Sequence, residues 1–132
     1  MQLPRLFCLS LMVAFLFSPV MPAQAALRIE LGDYRFRPNE IRVSPGETVE
    51  LELVNTDAIT PHDFVLEIPE AGIDLRVDVP PGETAKAVFT APSTPGTWPF
   101  YCSKRFLFFK SHRERGMEGR LIVLPGPKQP AQ

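Results

Sequence analysis

The stretch PGETVELELVN, residues 45–55, decides the fold. Val49, Leu51 and Leu53 alternate with Glu50 and Glu52, so an extended chain here has one apolar and one acidic face. The pattern returns at Ile73, Leu75, Val77 and Val79, set against Asp74, Arg76 and Asp78. Pro45-Gly46, Pro81-Gly82 and Pro95-Gly96 punctuate the runs as turns. Together these features predict strands near residues 27–31, 40–43, 47–55, 62–68, 73–79, 84–90, 97–102 and 119–124. No long stretch has the 3.6-residue period of an amphipathic helix; residues 103–111 have room for one helical turn at most. The expected class is all-β, an antiparallel Greek-key sandwich or barrel of about eight strands. Pro99 interrupts the strand that leads to Cys102, which predicts an edge or a bulge there.

The first 25 residues read as an export signal. Arg5 stands in a short leading region, an apolar run extends from Leu6 to Met21, and Ala23-Gln24-Ala25 offers the small residues a signal peptidase inspects. Pro19 and Pro22 mark a run too short to favour a spanning helix of about 20 residues, an uncleaved anchor being the alternative. Cys8 lies near the start of the run behind bulky Phe7, which argues against lipidation. Cleavage after Ala25 leaves 107 of the 132 residues, one domain over residues 26–124 and a poorly packing tail at 125–132. The destination is the periplasm or the exterior.

Without Arg5 the chain carries 13 basic and 15 acidic side chains, a balance that argues against nucleic-acid binding. The distribution is uneven, because six of the basic residues and only two of the acidic ones fall between Lys104 and Arg120. One end of the molecule is expected to be basic.

Outside the signal the chain has one cysteine, two histidines and one methionine: His62, Cys102, His112 and Met117. A lone thiol in an oxidising compartment should be buried, paired between chains or bound to metal. Taken singly, His62 reads as a polar loop residue, Cys102 as a small core hydrophobe and Met117 as packing. Their order and their placement at strand ends change that reading. Two imidazoles, a thiolate and a weak thioether form the donor set of mononuclear electron-transfer copper. Thiolate stabilises Cu(I), imidazole serves both oxidation states, and the weak axial thioether forces neither square-planar nor octahedral geometry. A Ser/His/Asp set would have to borrow one of these histidines. Paired catalytic carboxylates and glycine-rich phosphate loops do not stand out, so the chain does not read as an enzyme.

Tyr34-x-Phe-x-Pro-x-x-Ile-x-Val-x-x-Gly46, Pro61-His-Asp-Phe64, Gly96-Thr-Trp-Pro-Phe-Tyr-Cys102, His112 and Gly116-Met-Glu-Gly119 with the strand Arg120-Leu-Ile-Val123 resemble the cupredoxins, the plastocyanin- and azurin-like blue copper domains. The resemblance covers nearly all of residues 26–124. It implies one type 1-like copper ion held by His62, Cys102, His112 and Met117. The stretch HDFVLEIPEAGIDLRVDVPPGE, residues 62–83, also looks like the copper domain of oxidase subunit II and nitrous oxide reductase. Their two-copper centre needs two cysteines in the ligand loop, and this loop has one.

One departure from the family pattern stands out. Familiar blue-copper loops place two to four residues between Cys and His, whereas nine intervene here, Ser103 to Ser111. A longer loop is expected to be a softer one, leaning on hydrogen bonds around the ligands to hold the ring of His112. Within it, Phe106, Leu107, Phe108 and Phe109 either cap the open end of the barrel or stand exposed beside the metal, ringed by Lys104, Arg105, Lys110, Arg113 and Arg115. An exposed patch of this kind over 104–115 suits transient docking of an acidic redox partner at an exposed His112 end, or contact with an anionic membrane surface. Asp63 is either a brace for the ligand loops or a solvated loop charge, and Asn55 reads as an ordinary polar residue. The expected function is single-electron transport by an exported monomer. The alternatives are a copper carrier or chaperone using the same ligands, and a metal-free binding module.

Overall fold

The computed structural model describes residues 24–126. Residues 1–23 of the expected export signal (1–25) and residues 127–132 of the expected tail (125–132) lie outside the described residues. Among the described residues nine strands form: β1 (Leu27–Gly32), β2 (Arg35–Arg37), β3 (Glu40–Val43), β4 (Thr48–Asn55), β5 (His62–Ile68), β6 (Ile73–Val79), β7 (Thr84–Thr90), β8 (Gly96–Tyr101) and β9 (Glu118–Val123). Single 3-10 turns stand at Pro69–Ala71 and Arg113–Arg115. The helical turn near the ligand loop therefore follows His112 instead of lying within 103–111. The three-residue β2 was missed because so short a strand shows no alternation.

The strands make two sheets, ordered β2-β1-β4-β7 and β3-β9-β8-β5-β6. Alternation in β4 is realised residue by residue, with Val49, Leu51, Leu53 and Asn55 buried and Thr48 and Glu50 exposed. Most contacts between strands are antiparallel, but β1 pairs parallel with β4 and β3 parallel with β9. The purely antiparallel expectation is corrected on that point. A parallel pair needs a crossover of a dozen or more residues, usually a helix. Here β2 and β3 fill residues 33–47 and do the helix's work.

Between the sheets lies one core, in which Phe36, Phe64 and Phe100 form an aromatic cluster with ring centroids 4.9 to 6.0 Å apart. Each such ring contributes about 1.5–3 kcal/mol by leaving water. Pro99 lies in a strand flanked on both sides, yet β8 pairs with β5 only at Phe100 and Tyr101, whereas it pairs with β9 along its whole length. The segment up to Pro99 is thus an edge toward β5, as the proline requires.

Gly119 sits where β9 passes the core. A Cβ there would lie 2.2 Å from Phe100 Cζ and 2.6 Å from the carbonyl oxygen of Asn39. Ring and backbone cannot both retreat, so Gly119→Ala should lower stability by about 1–3 kcal/mol. Urea unfolding checks this as a fall in midpoint at unchanged slope.

Candidate metal centre

β5 begins at His62, β8 ends one residue before Cys102, and His112 and Met117 occupy the connection that leads into β9. Three of the expected ligands converge. His62 Nδ1 lies 3.1 Å from His112 Nδ1 and 3.8 Å from Cys102 Sγ, and Cys102 Sγ lies 3.4 Å from His112 Nδ1. All three donor atoms fall within 4.8 Å of one another. With metal–nitrogen and metal–sulfur bonds of about 2.0 and 2.3 Å, a trigonal set of two nitrogens and one sulfur leaves donors about 3.5–3.7 Å apart. The observed spacing fits a single first-row ion at the centre. Met117 is fully buried in the same core cluster as Cys102.

His62 and Cys102 are fully buried, and His112 is 6% exposed. The expectation of an exposed His112 is corrected: its ring is covered by Tyr34, packed edge-on at 4.8 Å between ring centroids. Tyr34 also meets His62 edge-on at 6.2 Å and carries the Arg115 guanidinium over its face at 4.0 Å. Its covering role had no signal in the sequence beyond its place in the family pattern.

The long loop is pinched at its base. His112 N–H donates to the carbonyl of Lys104 at 2.8 Å, and Met117 N–H donates to the carbonyl of His112 at 2.9 Å. Cys102 N–H in turn donates to the carbonyl of Met117 at 3.1 Å. Backbone hydrogen bonds thus link Cys102 to Met117, Met117 to His112 and His112 to Lys104 at the base of the loop. Gly116 closes this turn at φ 99°, a conformation that disfavours any side chain.

Asp63 resolves as a brace. Its 1% exposed carboxylate accepts bonds from Ser103 N–H at 2.6 Å and Ser103 Oγ at 2.5 Å, with Arg76 at 3.5 Å. Its own N–H donates to Cys102 Sγ at 3.4 Å. Asn55 is a brace too, donating to the carbonyls of Thr60 and Val79 at 2.9 Å each and accepting from Asp57 N–H at 3.0 Å. Sequence reasoning passed over Asp57, whose Oδ2 lies 2.8 Å from His62 Nε2. No spacing rule flags a carboxylate five residues before a ligand.

Burial pushes the Cys102 thiol up to about 12. Burial also holds the His112 imidazole below its usual value, with the nearby His62 and Arg115 acting in the same direction. Around neutral pH, His112 therefore offers a free lone pair, while the thiol must lose its proton to bind a metal.

Phe106, Leu107, Phe108 and Phe109 are 54–85% exposed, so they do not cap the barrel. With Ile59, Pro61 and Tyr34, two of them, Phe106 and Phe109, line a cleft of about 420 Å³ that reaches His112. Its basic rim is partly neutralised. Lys104 pairs with Asp78, Arg105 with Glu114 at 2.7 Å and Arg113 with Glu118 at 2.6 Å. Lys110 and Arg115 have no ion pair among the described residues.

The chain matches the family model described as Cupredoxin-like domain over residues 6–123. It belongs to the cupredoxin family. The cupredoxin is 33% identical over 109 residues to plastocyanin from Dryopteris crassirhizoma, covering 71% of this chain and 92% of that one. It is 32% identical over 121 residues to chloroplastic plastocyanin from Pisum sativum, covering 83% of this chain and 64% of that one. Among solved structures, the dithionite-reduced auracyanin of Roseiflexus castenholzii superposes with a TM-score of 0.60 at 22% identity, over 78% of this chain and 99% of that one. Auracyanin A of Chloroflexus aurantiacus, a "blue" copper protein, gives 0.55 at 23%, over 76% and 100%. At these identities the two auracyanins speak for the fold alone.

Because the thiol proton must leave, affinity for a thiophilic metal ion should rise about tenfold per pH unit between pH 7 and 9. Competition titrations against a chelator of known pH dependence check the slope. Calorimetry in buffers of different ionisation heat should show one proton released per ion.

Proposed function

We propose that this cupredoxin holds one type 1-like copper ion at His62, Cys102 and His112, with Met117 as weak axial ligand, and carries single electrons between redox proteins outside the cytoplasm. The convergence of two imidazole nitrogens and one thiol on a buried point carries this reading. Copper bound there supplies one-electron Cu(I)/Cu(II) chemistry. The plastocyanin relatives support the assignment, and Ala23-Gln24-Ala25 supports export to the periplasm or beyond.

The chain's own residues do the rest. Asp63 and the Lys104 carbonyl hold Cys102 and His112 in place, so the donor set need not rearrange between oxidation states. The core around Cys102 and Met117 excludes water. His112 provides the route outward, because the cleft walled by Phe106 and Phe109 reaches it. The exposed 106–109 cluster and the cations of Lys110 and Arg115 suit brief docking of an acidic partner on loop 104–115 to a monomeric carrier. An anionic bilayer would meet the same face, and co-sedimentation with vesicles tells the two apart. The copper-carrier alternative drew on a soft ligand loop, and the pinch between Lys104 and His112 removes that support. On this reading the protein is not itself an enzyme.

Titrating the mature protein with Cu(II) should produce an intense visible thiolate-to-copper band and a narrow-hyperfine EPR spectrum at one ion per chain. Reductant should bleach the band reversibly, and Cys102→Ser should abolish it. Colourless uptake of Cu(I) alone would favour the carrier, and no stoichiometric uptake would overturn both readings.

For the docking face, the Lys110→Glu variant should be reduced more slowly by an anionic complex such as ferrocyanide and faster by a cationic one. The two effects should converge as salt is raised, which stopped-flow kinetics at several ionic strengths will show.

A further inference from the structure

We propose that Asp57 is the positioning residue for His62, fixing its tautomer and strengthening Nδ1 as a donor so that the oxidised metal is favoured. The geometry is direct. Asp57 Oδ2 stands 2.8 Å from His62 Nε2, while Nδ1 of the same ring faces Cys102 and His112. An ionised carboxylate can only accept, so the proton resides on Nε2 and the lone pair on Nδ1 points at the other donors. A carboxylate on the far nitrogen of a ligating imidazole locks the ring and makes it a better donor.

Asp57 is itself held from two sides. Both its oxygens accept from Asp33 N–H, at 3.1 and 3.3 Å, and its own N–H donates to Asn55 Oδ1 at 3.0 Å. Asn55 is anchored on the carbonyls of Thr60 and Val79. The turn between β1 and β2 and the β5 start therefore meet at the Asp57 carboxylate, and the β4 end holds the Asp57 backbone. Its negative charge, passed through the imidazole, stabilises Cu(II) more than Cu(I). The site carries another carboxylate, the buried Asp63, but that one braces Ser103 and hydrogen-bonds to neither imidazole.

This inference rests on the copper reading, so its test has one arm that needs no metal. In the metal-free protein, imidazole nitrogen NMR should report His62 with its proton on Nε2, and Asp57→Ala should mix the tautomers. In the copper protein, Asp57→Asn keeps an acceptor but removes the charge. It should weaken Cu(II) affinity about tenfold relative to Cu(I), which raises the potential by about 59 mV for one electron. Asp57→Glu should restore part of the shift. An unchanged tautomer in Asp57→Ala together with an unchanged potential in Asp57→Asn would overturn the inference. If the wild-type chain takes up no copper, the copper reading fails, and the metal-free tautomer alone then decides whether Asp57 positions His62.

Discussion

The short pairing between β5 and β8 is the constraint on which the site depends. Only Val65 with Tyr101 and Leu66 with Phe100 are in register. Extended outward, that register sets Asp63 beside Cys102 and Ser103, where the two chains part company as β8 ends. Side-chain and backbone bonds of Asp63 then replace the missing ladder, with the Asp63 N–H on the thiol sulfur and the Ser103 N–H on the carboxylate. A slip of one residue would turn every β5 side chain to the opposite face. It would carry His62 away from Cys102 and take Phe64 out of its aromatic cluster with Phe36 and Phe100, so packing and metal chemistry enforce the same register.

A buried carboxylate next to a thiolate is costly unless its oxygens are satisfied. Asp63 meets that condition with two bonds from one residue, Ser103, and a half-exposed guanidinium from Arg76 behind them. Asp57, a quarter exposed, has its oxygens satisfied by the Asp33 N–H and the His62 imidazole. Burial alone would raise the Asp57 carboxyl, but the His62 and Asp33 bonds outweigh it and hold it below its usual value. Each carboxylate thus exchanges hydration for bonds that also orient a ligand or its neighbour.

What the sequence made legible follows from where its information is local. Alternation at 48–55 and 73–79 and Pro-Gly turns are short-range signals, and the strands they mark formed nearly where expected. The donors were legible through scarcity, since the described chain offers few soft or borderline ligands and three of them meet. Strand direction was not legible, because β1 finds β4 and β3 finds β9 only after the chain has crossed between sheets. Nor was Asp57, since nothing local separates a carboxylate that faces an imidazole from one that faces water. The four exposed apolar residues at 106–109 were visible as a cluster, but their orientation depends on how the loop closes.

That loop closes at its base even though nine residues separate Cys102 from His112. The bond from His112 N–H to Lys104 O short-circuits the loop, so the backbone path between ligands runs through Ser103 and Lys104 and crosses directly to His112. The excursion beyond it closes on itself, helped by the Phe109 N–H to Phe106 O turn at 3.0 Å and by Phe108 stacked on Phe109 at 4.9 Å. Closure entropy grows only with the logarithm of loop length, so the extra residues cost little. They present an apolar, partly basic surface next to the cleft that reaches His112, while the His112 N–H to Lys104 O bond ties the ligand end of the loop to its start. Extending the loop outside the pinch therefore changes what the protein can touch without changing what the donor set can do.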